Sequence, residues 1–415
     1  MSGDIYAYLD MADAAEPVHI GVLHGDIIRG KEVFSFTGST EWLEHREFHI
    51  LDPDLGPFAG RQYLRDGKPN FGLFLDSAPD RWGRMLIKRR EAVLARQEAR
   101  PPKTLYETDY LLNLYDGSRM GALRLKLDPD GDFLDNNADL AVPPWDSIRD
   151  LEHASRELER DDTDDAEYSK WLNMLVRPGS SLGGARPKAT VTDRDGHLWI
   201  AKFPSGHDSK DVGAWEQVVN ELAADCGITV PRSAARCFTG RQHTFLSERF
   251  DRIADKRLHF ASAMTLLGKQ DGADAFEGTG YLDMAEILIR HGADVDRNLE
   301  ELWRRMAFNI AVSNCDDHLR NHGFILTPSG WIVSPAYDMN PDENGTGLKL
   351  NISEGDNSLD FDLALSVIAY FRLSVGKAKS ILTAIKDSVS NWRAVADRYD
   401  IPRQQQDMVA PAFRT

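Results

Sequence analysis

Hydrophobic and polar positions change period several times along the chain, and each change predicts an element. Ile5-Tyr6-Ala7-Tyr8-Leu9 and His19-Ile20-Gly21-Val22-Leu23 read as strands separated by a polar loop, and Val33-Phe34-Ser35-Phe36 alternates as a half-buried strand does. Ser77 to Arg96 then reads as a helix, with Ser77 as its N-cap and Pro79 tolerated near the start. Trp82, Met85, Leu86, Arg89 and Val93 fall near one face of it. Arg81, Arg84, Lys88, Arg90 and Arg96 make the rest basic, as a solvated surface or a docking face for an acidic partner would be. Further on, Thr190-Val191-Thr192, the turn Asp193-Arg194-Asp195-Gly196 and Leu198 to Phe203 predict a hairpin. A helix from Val212 to Cys226 follows, closed by Gly227, and then a strand Thr244 to Phe250. Leu299, Leu302, Trp303, Met306 and Ile310 form a helical stripe that leads directly to Asn314.

Breakers divide this pattern. Pro101-Pro102, Asp128-Pro129-Asp130-Gly131-Asp132 and Pro143-Pro144 interrupt it. Between Glu157 and Glu167 the chain places Glu157, Glu159, Asp161, Asp162, Asp164, Asp165 and Glu167 against Arg156 and Arg160, which reads as a solvated acidic linker. It lacks the glycine and periodic ligands of a calcium loop. The expected organisation is a small mixed domain over 1–110, a connecting segment over 111–170, a strand-rich core over 171–253 and a helical lobe over 254–415.

Composition narrows the picture. A chain of 415 residues exceeds one small core, and its 42% hydrophobic and 28% charged content is that of a globular protein. The net charge of −17 argues against a large DNA-coating surface, while leaving room for a partner that carries such contacts. Cys226, Cys237 and Cys315 form no paired motif, which predicts reduced thiols and a cytoplasmic setting. The N-terminus does not read as a signal peptide, and no apolar run reaches membrane-spanning length.

The chemistry concentrates in Asn314-Cys315-Asp316-Asp317-His318-Leu319-Arg320-Asn321 and Ser334-Pro335-Ala336-Tyr337-Asp338-Met339-Asn340. Asp316 and Asn321 are spaced D-x-x-x-x-N, and Asp338 follows a predicted hairpin from Gly323 to Ser334. Protein kinases use that order for a catalytic carboxylate and two magnesium ligands. Phosphoryl transfer requires in-line positioning and charge neutralisation, so Asp316 suits the proton and Asn321 with Asp338 the ion. Asn, Asp and His also serve plain turns. Upstream, Gly179 to Lys188 is a Gly-rich turn able to bring backbone N–H groups to phosphates, although it is not a Walker A loop. Lys202 sits in an otherwise apolar strand, with Glu216 on the next helix as a possible partner. His318 with Asp316 and Asp317 would alternatively suit a metallophosphoesterase, but no H-x-H or H-E-x-x-H motif accompanies them, and G-x-S-x-G is absent.

Taken in order, Phe71 to Arg90, Ser180 to Lys188, Trp199 to Pro204, Ser247 to Arg252, Asn314 to Phe324 and Ser334 to Asn340 resemble the HipA-like serine/threonine kinases, toxins of bacterial type II toxin–antitoxin pairs. The resemblance covers nearly the whole chain. It implies an α+β, bilobal, protein-kinase-like fold with a mixed N-terminal domain and an all-α C-terminal lobe. It also implies ATP and Mg²⁺ as cofactors. Gly183, Gly184 and Lys202 would face the ATP phosphates, Glu248 and Phe250 would supply the adenine hinge, and His318 would lie beside the nucleotide. Asp316 would be catalytic, and Asn321 and Asp338 would hold the metal. Ser181 is the implied autophosphorylation site, with Ser180 adjacent; Arg186-Pro187 departs from the Gln-Glu pair of the best-known members there. The implied partners are a helix-turn-helix antitoxin, operator DNA reached mainly through it, and a protein substrate such as an aminoacyl-tRNA synthetase. A catalytically degenerate corepressor and a small-molecule kinase are the alternative readings.

Overall fold

The computed structural model describes residues 3–45, 49–64, 67–137, 141–160, 165–176 and 184–415. These divide into two compact units. The first comprises Met1–His207 with Asp251–Ala261, and the second Asp208–Phe250 with Ser262–Thr415. The expected strand-rich core of 171–253 is therefore shared: its first hairpin lies in one unit, and its helix and second hairpin lie in the other.

The first unit is built on a five-stranded antiparallel sheet of order β4-β3-β2-β1-β5, from β1 (Gly3–Leu9), β2 (Val18–Ile28), β3 (Lys31–Gly38), β4 (Arg61–Tyr63) and β5 (Leu123–Lys126). Alternation along β1 buries Ile5, Ala7 and Leu9 on one face. Short helices α1 (Thr40–Leu43) and α2 (Gly72–Asp76) precede α3 (Arg81–Gln97), and α4 (Glu107–Leu112) follows it. The start of α3 differs from expectation. Ser77 closes α2, and Asp80 is the N-cap of α3, accepting from Gly83 N at 2.8 Å. Asp80 wins because Pro79 disfavours helical backbone at Ala78, which would have to be the first helical residue if Ser77 were the cap.

The described residues of the acidic stretch are helical. Glu157 and Glu159 belong to α5 (Ile148–Arg160), and Asp165 opens α6 (Asp165–Val176); residues 161–164 lie outside the described set. Ser205 Oγ and Gly206 N donate to the Glu159 carboxylate at 2.7 and 2.8 Å. The apolar stripe of α5, with Ile148, Leu151, Ala154 and Leu158 buried, explains why this charged segment stays helical. The hairpin β6 (Lys188–Thr192) and β7 (Leu198–Lys202) forms as read, and the ribbon β10 (Arg252–Ile253) and β11 (Lys256–Arg257) completes the unit.

The second unit carries α7 (Val212–Asp225), capped by Asp211 and closed by Cys226 with Gly227 at φ +87° beyond it. The hairpin β8 (Ser233–Arg236) and β9 (Thr244–Glu248) follows, and β9 stops two residues short of Phe250. The remainder is mainly helical. From Ser262, the last residue of β12 (Phe260–Ser262), come α8 (Ala263–Leu266), α9 (Tyr281–His291) and α10 (Val295–Ala311), then the hairpin β13 (Gly323–Thr327) and β14 (Gly330–Val333). Helices α11 (Phe361–Ser366), α12 (Val375–Ser390), α13 (Trp392–Asp397) and α14 (Arg403–Val409) end the chain. Leu299, Leu302, Trp303, Met306 and Ile310 of α10 are fully buried, so this helix is the rod on which the next loop is mounted.

Candidate functional site

Helix α10 ends at Ala311, and Ser313 turns the chain with φ +47°. Asn314 is tied back to the helix: its N donates to Asn309 O at 2.9 Å and its Nδ2 to Asn309 Oδ1 at 3.1 Å. The two neighbouring acids then part company. Asp316 is exposed, whereas Asp317 is 1% exposed. Tyr281 Oη donates to Asp317 Oδ2 at 2.6 Å, and Lys349 N donates to Oδ1 at 2.6 Å. Burial pushes the Asp317 carboxyl up to about 7, and it pushes the Tyr281 phenol well above its ordinary range.

Asn321 closes the loop. Its Nδ2 donates to Asp316 O at 2.8 Å, and its buried Oδ1 has no partner among the described residues. A buried acceptor without a partner is costly unless something else is meant to occupy it. His322, buried beside Tyr281, is pushed down to about 3 by burial and is therefore neutral. Its Nε2 lies 3.2 Å from Asp317 O; because a carbonyl can only accept, that nitrogen carries the proton.

The segment bearing Asp338 is held to this loop from both sides. Arg305 Nη2, on α10, donates to Ser334 O at 2.6 Å. Tyr337 Oη donates to Arg320 O at 2.7 Å, and Asn340 N donates to Asn314 Oδ1 at 3.2 Å. Between those two tethers Asp338 adopts φ +58°, a left-handed conformation that Asp enters more readily than most non-glycine residues. A small open concavity lies here, lined among others by Asn314, Asp317, Asn321, Tyr337 and Met339. The Phe250 ring lies 5.6 Å from that of Tyr337, and Glu248 forms a two-point ion pair with Arg232. His318 starts the turn leading to Asn321, and its buried Nδ1 also has no partner among the described residues.

The second unit thus gathers Glu248, Phe250, Asp316, His318, Asn321 and Asp338. Lys202 and Gly184 belong to the first unit. Lys202 is the last residue of β7, 9% exposed and in register with Lys188, so it is not a snorkelling surface lysine. The ammonium of Lys188 donates to Gly184 O at 3.1 Å and pairs with Asp80 at 3.0 Å. Ser180, Ser181 and Gly183 lie outside the described residues. On the β6–β7 turn, Asp193, Asp195 and His197 cluster, but Asp193 is engaged by Trp199 Nε1 and by the amides of residues 195 and 197. That is turn chemistry.

Hard oxygen donors of the Asn and Asp type suit Mg²⁺, and the unpartnered Asn321 Oδ1 is what such an ion would fill. Asn340 Oδ1, likewise buried and without a partner among the described residues, joins them as a donor that motif spacing did not single out. Tyr281, Asn309 and Lys349 were also missed. Nothing in a spacing rule could have found Tyr281 or Lys349, which reach the loop from 36 and 32 residues away.

The chain is 26% identical over 194 residues to a kinase-like protein of Haemophilus influenzae, covering 41% of this chain and 56% of that one. It is 25% identical over 232 residues to the toxin YjjJ of Escherichia coli, covering 52% and 48%. The chain therefore spans about half the length of the curated relatives it matches. Its fold is that of HipA from Shewanella oneidensis, solved with HipB and operator DNA: TM-score 0.65 at 17% identity, over 98% of this chain and 94% of that one. Residues 180–393, just over half the chain and including the whole loop from Asn314 to Asn340, match the HipA-like C-terminal domain, and the protein belongs to that family.

Proposed function

We propose that this protein is an ATP- and Mg²⁺-dependent serine/threonine protein kinase acting as the toxin of a type II toxin–antitoxin pair in the cytoplasm. The observation that carries the reading is the division of labour in one loop. Asp316 is exposed, and Asn321, which lines one concavity with Tyr337 and Met339 on either side of Asp338, has a buried Oδ1 without a partner among the described residues. ATP supplies the γ-phosphoryl group, and magnesium bound by Asn321 and Asp338 would neutralise charge on its phosphates. Asp316 would orient the acceptor hydroxyl and take its proton. Phe250, whose ring lies tilted 5.6 Å from that of Tyr337, and Glu248 would face the base, with His318 beside the nucleotide; Lys202 and Gly183-Gly184 would meet the phosphates.

The kinase-like and toxin relatives support this assignment, and HipA's association with HipB and operator DNA supports a helix-turn-helix antitoxin as partner. With a net charge of −17, most DNA contacts would come from that partner. A translation protein such as an aminoacyl-tRNA synthetase is the proposed acceptor, and phosphorylation of Ser181 the proposed self-inhibition. Transfer of labelled γ-phosphate from ATP tests the reading. Asp316→Asn and Asp338→Asn should each lower it by about 10²–10⁴-fold; undiminished transfer in both would sink it. Mass spectrometry of the purified protein should find phosphate on Ser181 rather than Ser180.

A further inference from the structure

Resting on the phosphoryl-transfer reading, we infer that Asp317 is the positioning residue of the catalytic loop, holding Asp316 out through a clamp on Tyr281 and the Lys349 amide. The loop contains two adjacent carboxylates, Asp316 exposed and Asp317 buried. Both oxygens of Asp317 are taken: Oδ2 by Tyr281 Oη and Oδ1 by Lys349 N, each at 2.6 Å. Its backbone oxygen is taken as well, by His322 Nε2 at 3.2 Å.

The clamp is braced on every side. Asn309 Nδ2 of α10 donates to Tyr281 Oη at 2.9 Å, so the phenol proton is directed at Asp317. The same Asn309 accepts from Asn314 through its Oδ1, and Asn314 Oδ1 accepts from Asn340 N. Tyr281 N donates to Asn351 O at 2.9 Å, which returns the chain to the strand of residues around Lys349. One buried carboxylate therefore joins the start of α9, the end of α10, the loop, the Asp338 segment and residues 349–351. With Asp317 fixed, the peptide linking it to Asp316 is fixed, and the Asp316 carbonyl is presented to Asn321 Nδ2 at 2.8 Å. The relative placing of Asp316 and Asn321 thus depends on a carboxylate whose two oxygens are both held by protein donors. Catalytic groups are effective only when such supporting contacts hold them.

The experiment compares the full chain with Tyr281→Phe, Asp317→Asn, Asp317→Ala and, as a control, Asp316→Asn. Phosphoryl transfer is measured as kcat and KM for ATP, and hydrogen exchange of the Lys349 amide is followed by NMR or peptide mass spectrometry. Tyr281→Phe should lower kcat about tenfold with KM for ATP unchanged, and should speed exchange at Lys349. Asp317→Asn, which can still accept from Lys349 N, should retain at least tenfold more activity than Asp317→Ala. Parent-like kcat and Lys349 exchange in Tyr281→Phe and Asp317→Ala would overturn the clamp. Equal losses in Asp317→Asn and Asp317→Ala, with KM rising as kcat falls and thermal midpoints dropping together, would reduce Asp317 to a structural residue and overturn its positioning role. Absence of phosphoryl transfer in the parent chain alongside faster Lys349 exchange in Tyr281→Phe would instead overturn the phosphoryl-transfer reading and leave the clamp in place.

Discussion

Asp80 and Lys188 form an ion pair at 3.0 Å with side chains 0% and 1% exposed, 108 residues apart in the chain. Asp80 also caps α3 through Gly83 N, and Lys188 also donates to Gly184 O at the end of the Gly-rich turn. One carboxylate thus anchors both a helix start and the strand that follows that turn. Asp80→Ala strands a buried ammonium and removes the cap, so we expect a loss of about 3–5 kcal/mol from the broken pair and about 1 kcal/mol from the cap. Asp80→Ala with Lys188→Met should recover part of the loss, because it leaves no buried charge. Urea denaturation of the single and double variants measures both.

Asp52 makes stability depend on pH. It is fully buried and accepts from Asp54 N and Leu73 N, yet burial dominates and pushes its carboxyl up to about 6 from 3.8. The folded state then holds a proton that the unfolded chain releases between those values. Its contribution is fully present below about pH 3.8 and is lost as pH rises to about 6. Asp52→Asn cannot titrate, so its stability relative to the parent should rise across that window by at most about 3 kcal/mol and stay level above it. Paired denaturation curves at pH 4 and 7 show the difference; a constant gap would refute it.

Thiol reactivity should divide the cysteines. Burial pushes the Cys226 thiol up to about 12 and the Cys315 thiol up to about 11, while Cys237 is exposed. Since the thiolate is the nucleophile, one equivalent should react quickly with an aromatic disulfide reagent at neutral pH. The other two should react only after denaturation. Mass mapping should place the fast label on Cys237.

Gly280 has an ordinary extended backbone but no space for a side chain. A Cβ there would lie 2.4 Å from Asn351 O, across the bridge that joins these two residues. Gly280→Ala must push the start of α9 away, at about 1–3 kcal/mol. Tyr281 follows immediately, so the variant should lose activity beyond what its thermal midpoint explains. An unchanged midpoint would show that the contact can relax.

Much of the local architecture was legible because its cause is local. Alternation along Ile5 to Leu9 and the helical stripe from Leu299 to Ile310 place side chains on faces whatever the rest of the chain does. The edges were less legible. Ser77 and Asp80 are both good caps, and the choice went to Asp80, the residue that also pairs with Lys188. The acids at 157 and 159 look like linker by charge, but the buried stripe of α5 outweighs their solvation.

The sequence by itself determined the order and spacing of Asp316, Asn321 and Asp338, and the helix and hairpin that present them, because those follow from periodicity and turn chemistry. Spacing to Asn321 singled out Asp316 and left the job of the adjacent Asp317 open. Only the tertiary structure shows the two carboxylates in different surroundings. Tyr281 and Lys349 arrive from distant segments to satisfy Asp317 in the interior, and Asp316 takes the solvent side. A buried carboxylate needs hydrogen-bond donors, and which donors reach it is a property of packing rather than of neighbours in the chain.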